Sequence, residues 1–314
     1  MVGRKVGIVG AGFVGATAAY SLTMTGACHE VVLYDINADV AKGKAIDIGQ
    51  STSYAPKGTI VTAAEDASGL EGCDIIVITA GVPRRSEMTR ADLLMINAKI
   101  MKDVVGNIVK YSPNAIILCV SNPLDIMTYV VHKMTGWKRN RIIGMAGALD
   151  GARMSYQINQ KVGYGSGQTR SMLIGDHGSH MIPLPEISAV GGVPLDQIVS
   201  KSDMEDIIAR TKDGGAEIVK HLGTSAYYAP GRAISVMVEA ILDDSRIVMP
   251  SSVMLDGEYG YKDITVGVPV VLGANGVEKI INLDLDDETK AKFQVSVDSI
   301  QEGIDILTEN GFFE

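Results

Sequence analysis

A doubly wound α/β fold, with a parallel sheet in the first half and a mixed α+β arrangement in the second, is the fold class that this sequence predicts. Short apolar runs alternate with helix-like segments, a glycine-rich turn follows the first run, and the alternation stops near residue 145. Repeated strand–helix–strand units build parallel sheets with right-handed crossovers. We therefore expect two domains, residues 1–144 and residues 145–314.

The first half contains continuous apolar runs bounded by turn residues, which are typical of strands buried on both faces. The longest predicted helix ends before Ser112-Pro113, because the residue before a proline is disfavoured in a helix. We predict strands at residues 6–9, 31–34, 74–79, 115–120 and 141–143, and helices at residues 16–25, 38–50 and 91–111.

The second half reads differently, as a mixed α+β substrate domain without a nucleotide signature of its own. Pro269 lies inside one strand-like run and predicts an edge position for that strand, because proline cannot donate to a ladder. No glycine- or serine-rich linker separates the halves, so we expect them to pack tightly. The predicted helices cover residues 148–161, a long segment from about 203, and residues 287–310, and the predicted strands cover residues 170–174 and 268–272.

The composition excludes several function classes. A formal net charge of −9 argues against nucleic acid as a partner, since phosphate binding requires clustered lysine and arginine. An anionic substrate would need local arginines to create a positive pocket. We expect no signal peptide, and no apolar run is long enough to span a membrane, so we expect a soluble, cytoplasmic protein with no membrane partner.

The three cysteines, Cys28, Cys73 and Cys119, are widely spaced and form no CxxC motif. Buried free thiols in a reducing cytosol fit this pattern better than a disulfide framework or a zinc site.

A glycine turn directly follows the first predicted strand and opens the first helix. Gly10, Gly12 and Gly15 form a GxGxxG motif, in which the glycines allow a tight turn, approach of a pyrophosphate and close helix–strand packing. Such a turn also arises for packing alone. Asp35 ends the next strand, 20 residues beyond Gly15, where a carboxylate accepts hydrogen bonds from a ribose and repels the phosphate of NADP. Together they predict a Rossmann-type NAD-binding domain, although Asp35 alone also reads as a turn residue.

Several segments carry side chains suited to acid–base chemistry or to anion binding. His177 lies on a glycine-flanked loop, and Asp150 and Arg153 are spaced to project from one side of a helix. Asn122 follows a buried strand, at the edge where open α/β sheets bind ligands. Read singly, each has a plain structural explanation: a solvated ion pair for Asp150 and Arg153, a turn residue for Asn122, and a basic surface loop for the arginines at residues 84, 85 and 90.

The combination favours the reduction of a 2-oxo acid. That reaction needs a hydride donor, a proton donor for the carbonyl oxygen, and cations for the carboxylate. Histidine titrates near neutrality, so it can both give and take the proton. Arginine binds carboxylates in bidentate fashion.

Over essentially its whole length the chain resembles the lactate/malate dehydrogenase family, and more closely the malate dehydrogenases of the lactate-dehydrogenase-like type. Four segments in this order carry the resemblance: GAGFVG at residues 10–15, VSNPLD at 120–125, GALDGAR at 147–153 and GDHGSH at 175–180. The resemblance implies an NAD-binding domain over residues 1–144 and a catalytic domain over residues 145–314.

The resemblance also implies a role for each candidate residue. His177 gives and takes the proton with Asp150 as its partner, Arg153 binds the 1-carboxylate, and Arg90 polarises the carbonyl when the loop at residues 82–90 closes. Asn122 hydrogen-bonds near the reacting oxygen. No metal is expected to be required. The residues implied to contact the cofactor are Gly10, Gly12, Gly15, Asp35, Asn97, Val120 and Asn122.

Arg84 falls at the position that discriminates the substrate side chain in this family, where lactate enzymes carry glutamine and malate enzymes carry arginine. The physics agrees: a second carboxylate needs a cation in a closed pocket, and a methyl group would leave that cation unpaired. An uncompensated buried charge costs ~3–5 kcal/mol, a discrimination of roughly a hundredfold or more. We therefore expect reversible oxidation of (S)-malate to oxaloacetate, with L-lactate chemistry as the alternative.

Two segments qualify the resemblance. Ser86-Glu87 stand where close relatives carry Pro-Gly, a departure expected to affect loop closure more than reaction type. Residues 225–231 would lie on the helix that borders the substrate, where small side chains leave room for a carboxylate.

Two alternative functions of other classes are a non-catalytic NAD-binding sensor and a flavin-binding oxidoreductase, which shares the glycine motif. The sensor would not need His177, Asp150 and the arginines. The resemblance further implies a homo-oligomer, with a tetramer preferred over a dimer.

Overall fold

The computed structural model describes residues 4–55, 57–83 and 88–314 of the chain. Its strands are, in chain order, β1 (Lys5–Val9), β2 (Glu30–Tyr34), β3 (Ile60–Ala64), β4 (Ile75–Ile78), β5 (Ile116–Cys119), β6 (Ile142–Gly144), β7 (Thr169–Arg170), β8 (Leu173–Ile174), β9 (Ile182–Pro183), β10 (Ala189–Val190), β11 (Val193–Pro194), β12 (Ile247–Asp256), β13 (Lys262–Gly273) and β14 (Gly276–Ile280). Its helices are α1 (Phe13–Thr25), α2 (Ala38–Ser51), α3 (Arg90–Tyr111), α4 (Leu124–Thr135), α5 (Ala146–Val162), α6 (Lys201–Leu222), α7 (Tyr228–Leu242) and α8 (Asp287–Glu309).

The main sheet has nine strands in the order β14-β13-β12-β6-β5-β4-β1-β2-β3. From β3 to β6 every neighbouring pair is parallel, and from β6 to β14 every pair is antiparallel. The apolar runs of β4 and β5 are buried along their whole length, as expected for strands covered on both faces. The predicted Rossmann-type doubly wound first half is confirmed, and an α/β second half follows it.

The prediction of an edge position for the strand around Pro269 is wrong. Pro269 lies in β13, between β12 and β14. It pairs with Pro250 of β12, so two residues without an amide proton share one position of the ladder. The Pro269 carbonyl accepts a hydrogen bond from the Ile281 N–H (2.9 Å) on the other side, just beyond the end of β14. The ring nitrogen faces the same side as this carbonyl, and the Ile281 carbonyl, which an amide proton at residue 269 would bind, accepts a hydrogen bond from the Tyr259 hydroxyl (2.7 Å) instead.

Residues 170–174, predicted as one strand, form parts of two short strands in different sheets. β7 pairs with β10, and β8 pairs with β9. The chain turns away between them at Ser171 and Met172, so the apolar run does not stay in a single ladder.

One apolar core cluster includes buried residues from both halves of the chain, such as Val77 of β4 and Val266 of β13. Cys28, Cys73 and Cys119 are buried free thiols, as the sequence predicts, and burial raises the pKa of each to about 12. In the part of the chain that the structure describes, no helix is long and apolar enough to cross a membrane.

Candidate active site

The glycine turn between β1 and α1 has the geometry of a phosphate cradle. Gly10 adopts a φ of +105°, and a Cβ there would lie 2.7 Å from Thr79 Oγ1. A Cβ at Gly15 would collide with the Gly10 carbonyl oxygen, so the turn and the helix meet without room for a side chain. In front of Gly12, by contrast, the space is open. α1 has neither a side-chain cap nor an acidic residue in its first turn, which leaves the helix N-terminus suited to a pyrophosphate.

Asp35 lies beside this turn, at the end of β2. Its Oδ2 accepts a hydrogen bond from the Ala11 N–H (2.7 Å), and its Oδ1 accepts one from the Asn37 N–H (2.9 Å). A carboxylate has about four lone-pair sites, so further donors can still bind to it. The position fits ribose hydroxyls next to a pyrophosphate at the turn.

His177 and Asp150 form a buried pair. The Nδ1 of His177 lies 2.7 Å from Asp150 Oδ2, and the two side chains are 13% and 3% exposed. Burial by itself lowers the pKa of His177, but the charge and hydrogen bond of Asp150, together with the charge of Asp125, more than offset this, so the pKa is raised above its ordinary value. A histidine with one nitrogen held by a carboxylate has its other nitrogen available for proton transfer.

Arg153 binds the other oxygen of the same carboxylate. Its Nη1 lies 3.1 Å from Asp150 Oδ1, and its buried Nε has no hydrogen-bond partner among the residues described. The alternative reading of this pair as a solvated surface ion pair is wrong, because Asp150 is buried and also binds His177. Gly214 and Gly215 of α6 make room for the arginine: a Cβ at Gly215 would lie 3.4 Å from Arg153 Nη2. Adjacent glycines inside a long helix were the sequence signal for this contact, and sequence reasoning missed it.

Asn97 of α3 contacts the loops after β4 and β5, and Asn122 lies in the second of them. The buried Asn97 side chain donates from Nδ2 to the carbonyl oxygens of Asn122 (2.8 Å) and Val82 (3.2 Å), and it accepts from the Val82 N–H (2.9 Å). Its amide thus joins the two loops. Asn122 itself is exposed at the carboxyl edge of the sheet. Val120 follows β5 and donates its N–H to the Ile78 carbonyl (2.9 Å).

The arginine loop is described only in part. Arg84, together with Ser86 and Glu87, lies outside the described residues, so the role predicted for Arg84 stays a prediction. Arg90 is the exposed first residue of α3. A capping box between Thr89 and Asp92 fixes the point at which this helix begins.

Two residues around His177 complete the cluster. Asp125 accepts a hydrogen bond from the His177 main-chain N–H through Oδ2 (2.7 Å), a contact that sequence reasoning missed. The signal was an acidic residue within the apolar start of α4. His180 lies 3.2 Å from Asp176 through Nδ1 and is partly exposed, at the rim of the cluster.

The stretch predicted to border the substrate, residues 225–231, is only in part helical. α7 begins at Tyr228, and Tyr227 precedes it as the cap residue. Gly231 packs against α1, where a Cβ would lie 2.6 Å from Thr17 Cγ2.

Family models match nearly the whole chain. Residues 4–144 match the lactate/malate dehydrogenase NAD binding domain, and residues 147–310 match the lactate/malate dehydrogenase alpha/beta C-terminal domain.

Full-length relatives and solved structures are similar to the chain throughout. It is 54% identical to a malate dehydrogenase of Sulfurimonas denitrificans, over 99% of this chain and 98% of that protein. It is 51% identical to a malate dehydrogenase of Nitratiruptor, over 98% of each.

Two solved structures superpose with a TM-score of 0.93. The structure of malate dehydrogenase from Salinibacter ruber is 40% identical, covering 98% of this chain and 100% of that one. The lactate dehydrogenase from Cryptosporidium parvum, complexed with lactic acid and nicotinamide adenine dinucleotide, is 34% identical. The match covers 98% of this chain and 99% of that one. The shared fold therefore does not distinguish between the two substrates.

Proposed function

The chain belongs to the lactate/malate dehydrogenase family, and we propose that it catalyses the reversible oxidation of (S)-malate to oxaloacetate. It is an NAD-dependent oxidoreductase. The observation that carries the proposal is the buried cluster in which one carboxylate, Asp150, binds both His177 (2.7 Å) and Arg153 (3.1 Å). A histidine suited to accept a proton thus lies beside an arginine suited to bind a carboxylate, which supports the proposal.

The proton moves through His177. The Asp150 carboxylate accepts the Nδ1–H, which leaves the Nε2 lone pair to take the proton of the malate C2 hydroxyl. The carboxylate then stabilises the imidazolium that forms. NAD, held at the glycine turn and Asp35, would supply the acceptor for the hydride that leaves C2. In the reverse direction His177 returns its proton to the carbonyl oxygen of oxaloacetate.

The substrate is oriented by charge. In the proposal Arg153 binds the 1-carboxylate, for which its Nη2 and the remaining hydrogens of its guanidinium are suited. Arg90 polarises the C2–oxygen bond, and Asn122 hydrogen-bonds near the same oxygen. Asn97, Val120 and Asn122 are proposed to line the cofactor, with Asn97 holding the two loops together.

The choice of malate over lactate rests on Arg84 and on the relatives. The relatives at 54% and 51% identity are malate dehydrogenases. A cation at position 84 matches the 4-carboxylate of malate, whereas the methyl group of lactate would leave it unpaired.

The first experiment compares kcat/KM for oxaloacetate and for pyruvate with NADH at neutral pH. We expect a preference for oxaloacetate of roughly a hundredfold or more. A preference for pyruvate would mean that the chain is a lactate dehydrogenase, and activity on neither would refute the proposed reaction.

Arg84→Gln tests the specificity assignment directly. Removing the cation should lower kcat/KM for oxaloacetate and raise it for pyruvate, because the 4-carboxylate loses its partner. Arg85→Gln, an adjacent change of the same kind, is the matched control. If the ratio of kcat/KM for oxaloacetate to kcat/KM for pyruvate is unchanged in Arg84→Gln, the assignment of Arg84 is contradicted.

His177→Asn tests the proton acceptor. Turnover should fall by ~10²–10⁴-fold, the usual contribution of general acid–base catalysis. NADH binding, measured by fluorescence, should stay intact because the glycine turn and Asp35 are untouched. Substantial residual turnover would mean that another group carries the proton.

A homo-oligomer, with a tetramer preferred over a dimer, stays a prediction, as does a cytoplasmic location. Large exposed side chains such as Tyr20, Tyr54, Tyr156, Tyr164 and Tyr228 offer surface that a second copy could cover. Sedimentation equilibrium would give the number of chains.

A further inference from the structure

Asp176 and His180 form a second carboxylate–imidazole pair, on the same loop as His177, to which the proposed reaction assigns no part. The loop follows β8, and Asp176 directly precedes His177 in it. The Asp176 side chain is 12% exposed and that of His180 is 39% exposed, so the carboxylate lies inside the loop and the imidazole at its rim. A mostly buried aspartate needs partners, because carboxylates are almost never buried without them.

Both oxygens of the Asp176 carboxylate bind His180. Oδ1 accepts the His180 main-chain N–H at 2.9 Å, and Oδ2 lies 3.2 Å from the Nδ1 of the same residue. The carboxylate thus reaches across residues 177–179 and joins the two ends of this segment. Burial raises the pKa of Asp176, while the charge and hydrogen bonds of His180 and the charge of His177 oppose the rise. His180 is therefore the main partner of this buried carboxylate.

Gly178 leaves the space in which the carboxylate lies. A Cβ at Gly178 would be 3.1 Å from Asp176 Oδ2, closer than side-chain carbons normally come. Gly175 has a φ of +92°, which favours glycine, but Gly178 does not have a left-handed backbone that would demand one. The missing side chain at residue 178 therefore serves the approach of Asp176.

The loop is held by the rest of the domain at both ends. Gly175 exchanges two main-chain hydrogen bonds with Gly267 of β13, at 2.9 and 3.0 Å. At the other end the buried hydroxyl of Ser296 in α8 donates to the His180 carbonyl at 2.7 Å. His180 consequently joins α8 to the loop, through its carbonyl oxygen on one side and through its N–H and ring on the other.

We propose that Asp176 and His180 are positioning residues for His177: their side chains form a clamp that closes the loop around the proton donor and acceptor and holds its main chain relative to α8. The inference rests on the role proposed above for His177. Neither Asp176 nor His180 exchanges a proton with the substrate. The clamp acts on orientation, and a displacement of about 1 Å at a reacting group costs about a hundredfold in rate.

Asp176→Ala removes the clamp and leaves His177 and Asp150 in the chain. We expect kcat for oxaloacetate reduction to fall roughly tenfold or more, because the loop loses the bonds that close it. The Kd of NADH should stay unchanged, since the glycine turn and Asp35 are untouched. An unchanged kcat would overturn the inference.

Asp176→Asn keeps the shape of the clamp without its charge. The amide oxygen can still accept the His180 N–H, and the amide nitrogen can donate to a neutral Nδ1. We therefore expect kcat to recover most of the way from the Asp176→Ala value to the wild-type value. If the asparagine variant is as slow as the alanine variant, these hydrogen bonds do not position the loop and the inference fails.

A double-mutant cycle tests whether the two side chains act through each other. His180→Ala keeps the main-chain N–H and loses only the ring, so kcat should fall, but less than in Asp176→Ala. In the double variant kcat should be no lower than in Asp176→Ala, because the ring has already lost its partner. Effects that multiply would contradict the clamp. If Asp176→Ala does not fold, His180→Ala decides, and a wild-type kcat in that variant overturns the inference.

Hydrogen exchange of the free protein, followed residue by residue by NMR, tests the clamp without any substrate. The main-chain amide of His180 should exchange roughly tenfold or more faster in Asp176→Ala than in the wild type, because it loses a charged acceptor. Equal exchange rates would refute the clamp. The result holds whether or not the chain acts on malate, so failure of the proposed function is distinguishable from failure of this inference.

The matched control is Asp74→Ala. Asp74 also accepts a main-chain N–H through a carboxylate oxygen, that of Lys5 at 2.8 Å. It precedes β4, at the amino ends of the parallel strands, whereas the clamped loop lies at their carboxyl ends, next to Asp125. The control should leave kcat and the exchange at residue 180 unchanged. If Asp74→Ala slows turnover as much as Asp176→Ala does, the loss reflects general destabilisation and the inference is overturned.

Discussion

At the scale of single residues, the candidate site is organised around Asp150. Each oxygen of this buried carboxylate has a separate partner, His177 on one side and Arg153 on the other. Burial makes both interactions stronger than they would be in water, and it makes the loss of any one partner costly. The proposed acid–base group, His177, and the proposed anion-binding group, Arg153, therefore depend on the same carboxylate.

Asp150→Asn should disturb proton transfer in two ways. The pKa of His177 falls, because the charge of Asp150 no longer opposes the effect of burial, and an amide can donate to Nδ1 and stabilise the wrong tautomer. In the proposed reaction protonated His177 donates the proton for oxaloacetate reduction, so we expect activity to be present below its pKa and lost as pH rises through it.

We expect kcat to fall by roughly a hundredfold or more, with the alkaline limb of the pH profile moved to lower pH. Steady-state kinetics across pH 5–9 measure both. A profile that stays in place would contradict the view that Asp150 sets the charge state of His177.

At the scale of elements, the close packing of α7 on α1 connects the two halves of the chain. Gly231 of α7 faces Thr17 and Ala18 of α1, and a Cβ there would lie 2.6 Å from Thr17 Cγ2 and 3.0 Å from the Ala18 nitrogen. Because α1 begins at the glycine turn, this contact also bears on the position of the phosphate cradle.

Gly231→Ala should lower the free energy of unfolding by about 1–3 kcal/mol, the usual cost of overpacking, and should weaken NADH binding by displacing α1. Gly43→Ala is the control, since Gly43 is exposed in α2 and nothing lies within 4 Å of its added Cβ. There the change should stabilise by roughly 0.5–1 kcal/mol through helix propensity. Urea unfolding measures the change in the free energy of unfolding for both variants. Equal changes would mean that α1 and α7 can move apart to accept the methyl group without loss of stability.

At the scale of the whole molecule, one sheet runs through both halves of the chain. β6 is the last parallel strand of the first half, and its Gly144 pairs with Ser252 of β12 in the second. The apolar core is likewise shared. Separating the halves would expose a sheet edge and core residues together.

We therefore expect the halves to unfold in one cooperative transition. Trp137, the single tryptophan, lies in the first half, with the Arg141 guanidinium 4.1 Å from its ring centroid, so its fluorescence reports on that half. Its urea midpoint should coincide with that of far-ultraviolet circular dichroism at a fixed protein concentration. Two separate midpoints would show that the halves unfold independently.

Patterns within short stretches of the sequence were sufficient to predict much of the secondary structure and the glycine turn. Apolar periodicity predicted most strands and helices of the first half, because buried parallel strands require continuous apolar runs. The turn at residues 10–15 and the position of Asp35 were predictable, because dinucleotide-binding domains keep a nearly constant spacing between the glycine turn and the acidic residue. Residues 60–64 escaped notice, since β3 is an edge strand and is mostly not buried.

Tertiary structure decided what depends on residues far apart in the chain. Whether Asp150 is a solvated partner of Arg153 or the buried partner of His177, 27 residues away, depends on packing that spacing does not encode. The same holds for Pro269, tolerated inside the sheet because the Tyr259 hydroxyl binds the Ile281 carbonyl in place of the missing amide proton, and for Asp125, whose main-chain partner lies 52 residues away. The sequence by itself determined the fold class, the cofactor turn and the chemical types in the site. Only the folded chain decided which charges are buried together, because burial and pairing arise from contacts between distant segments.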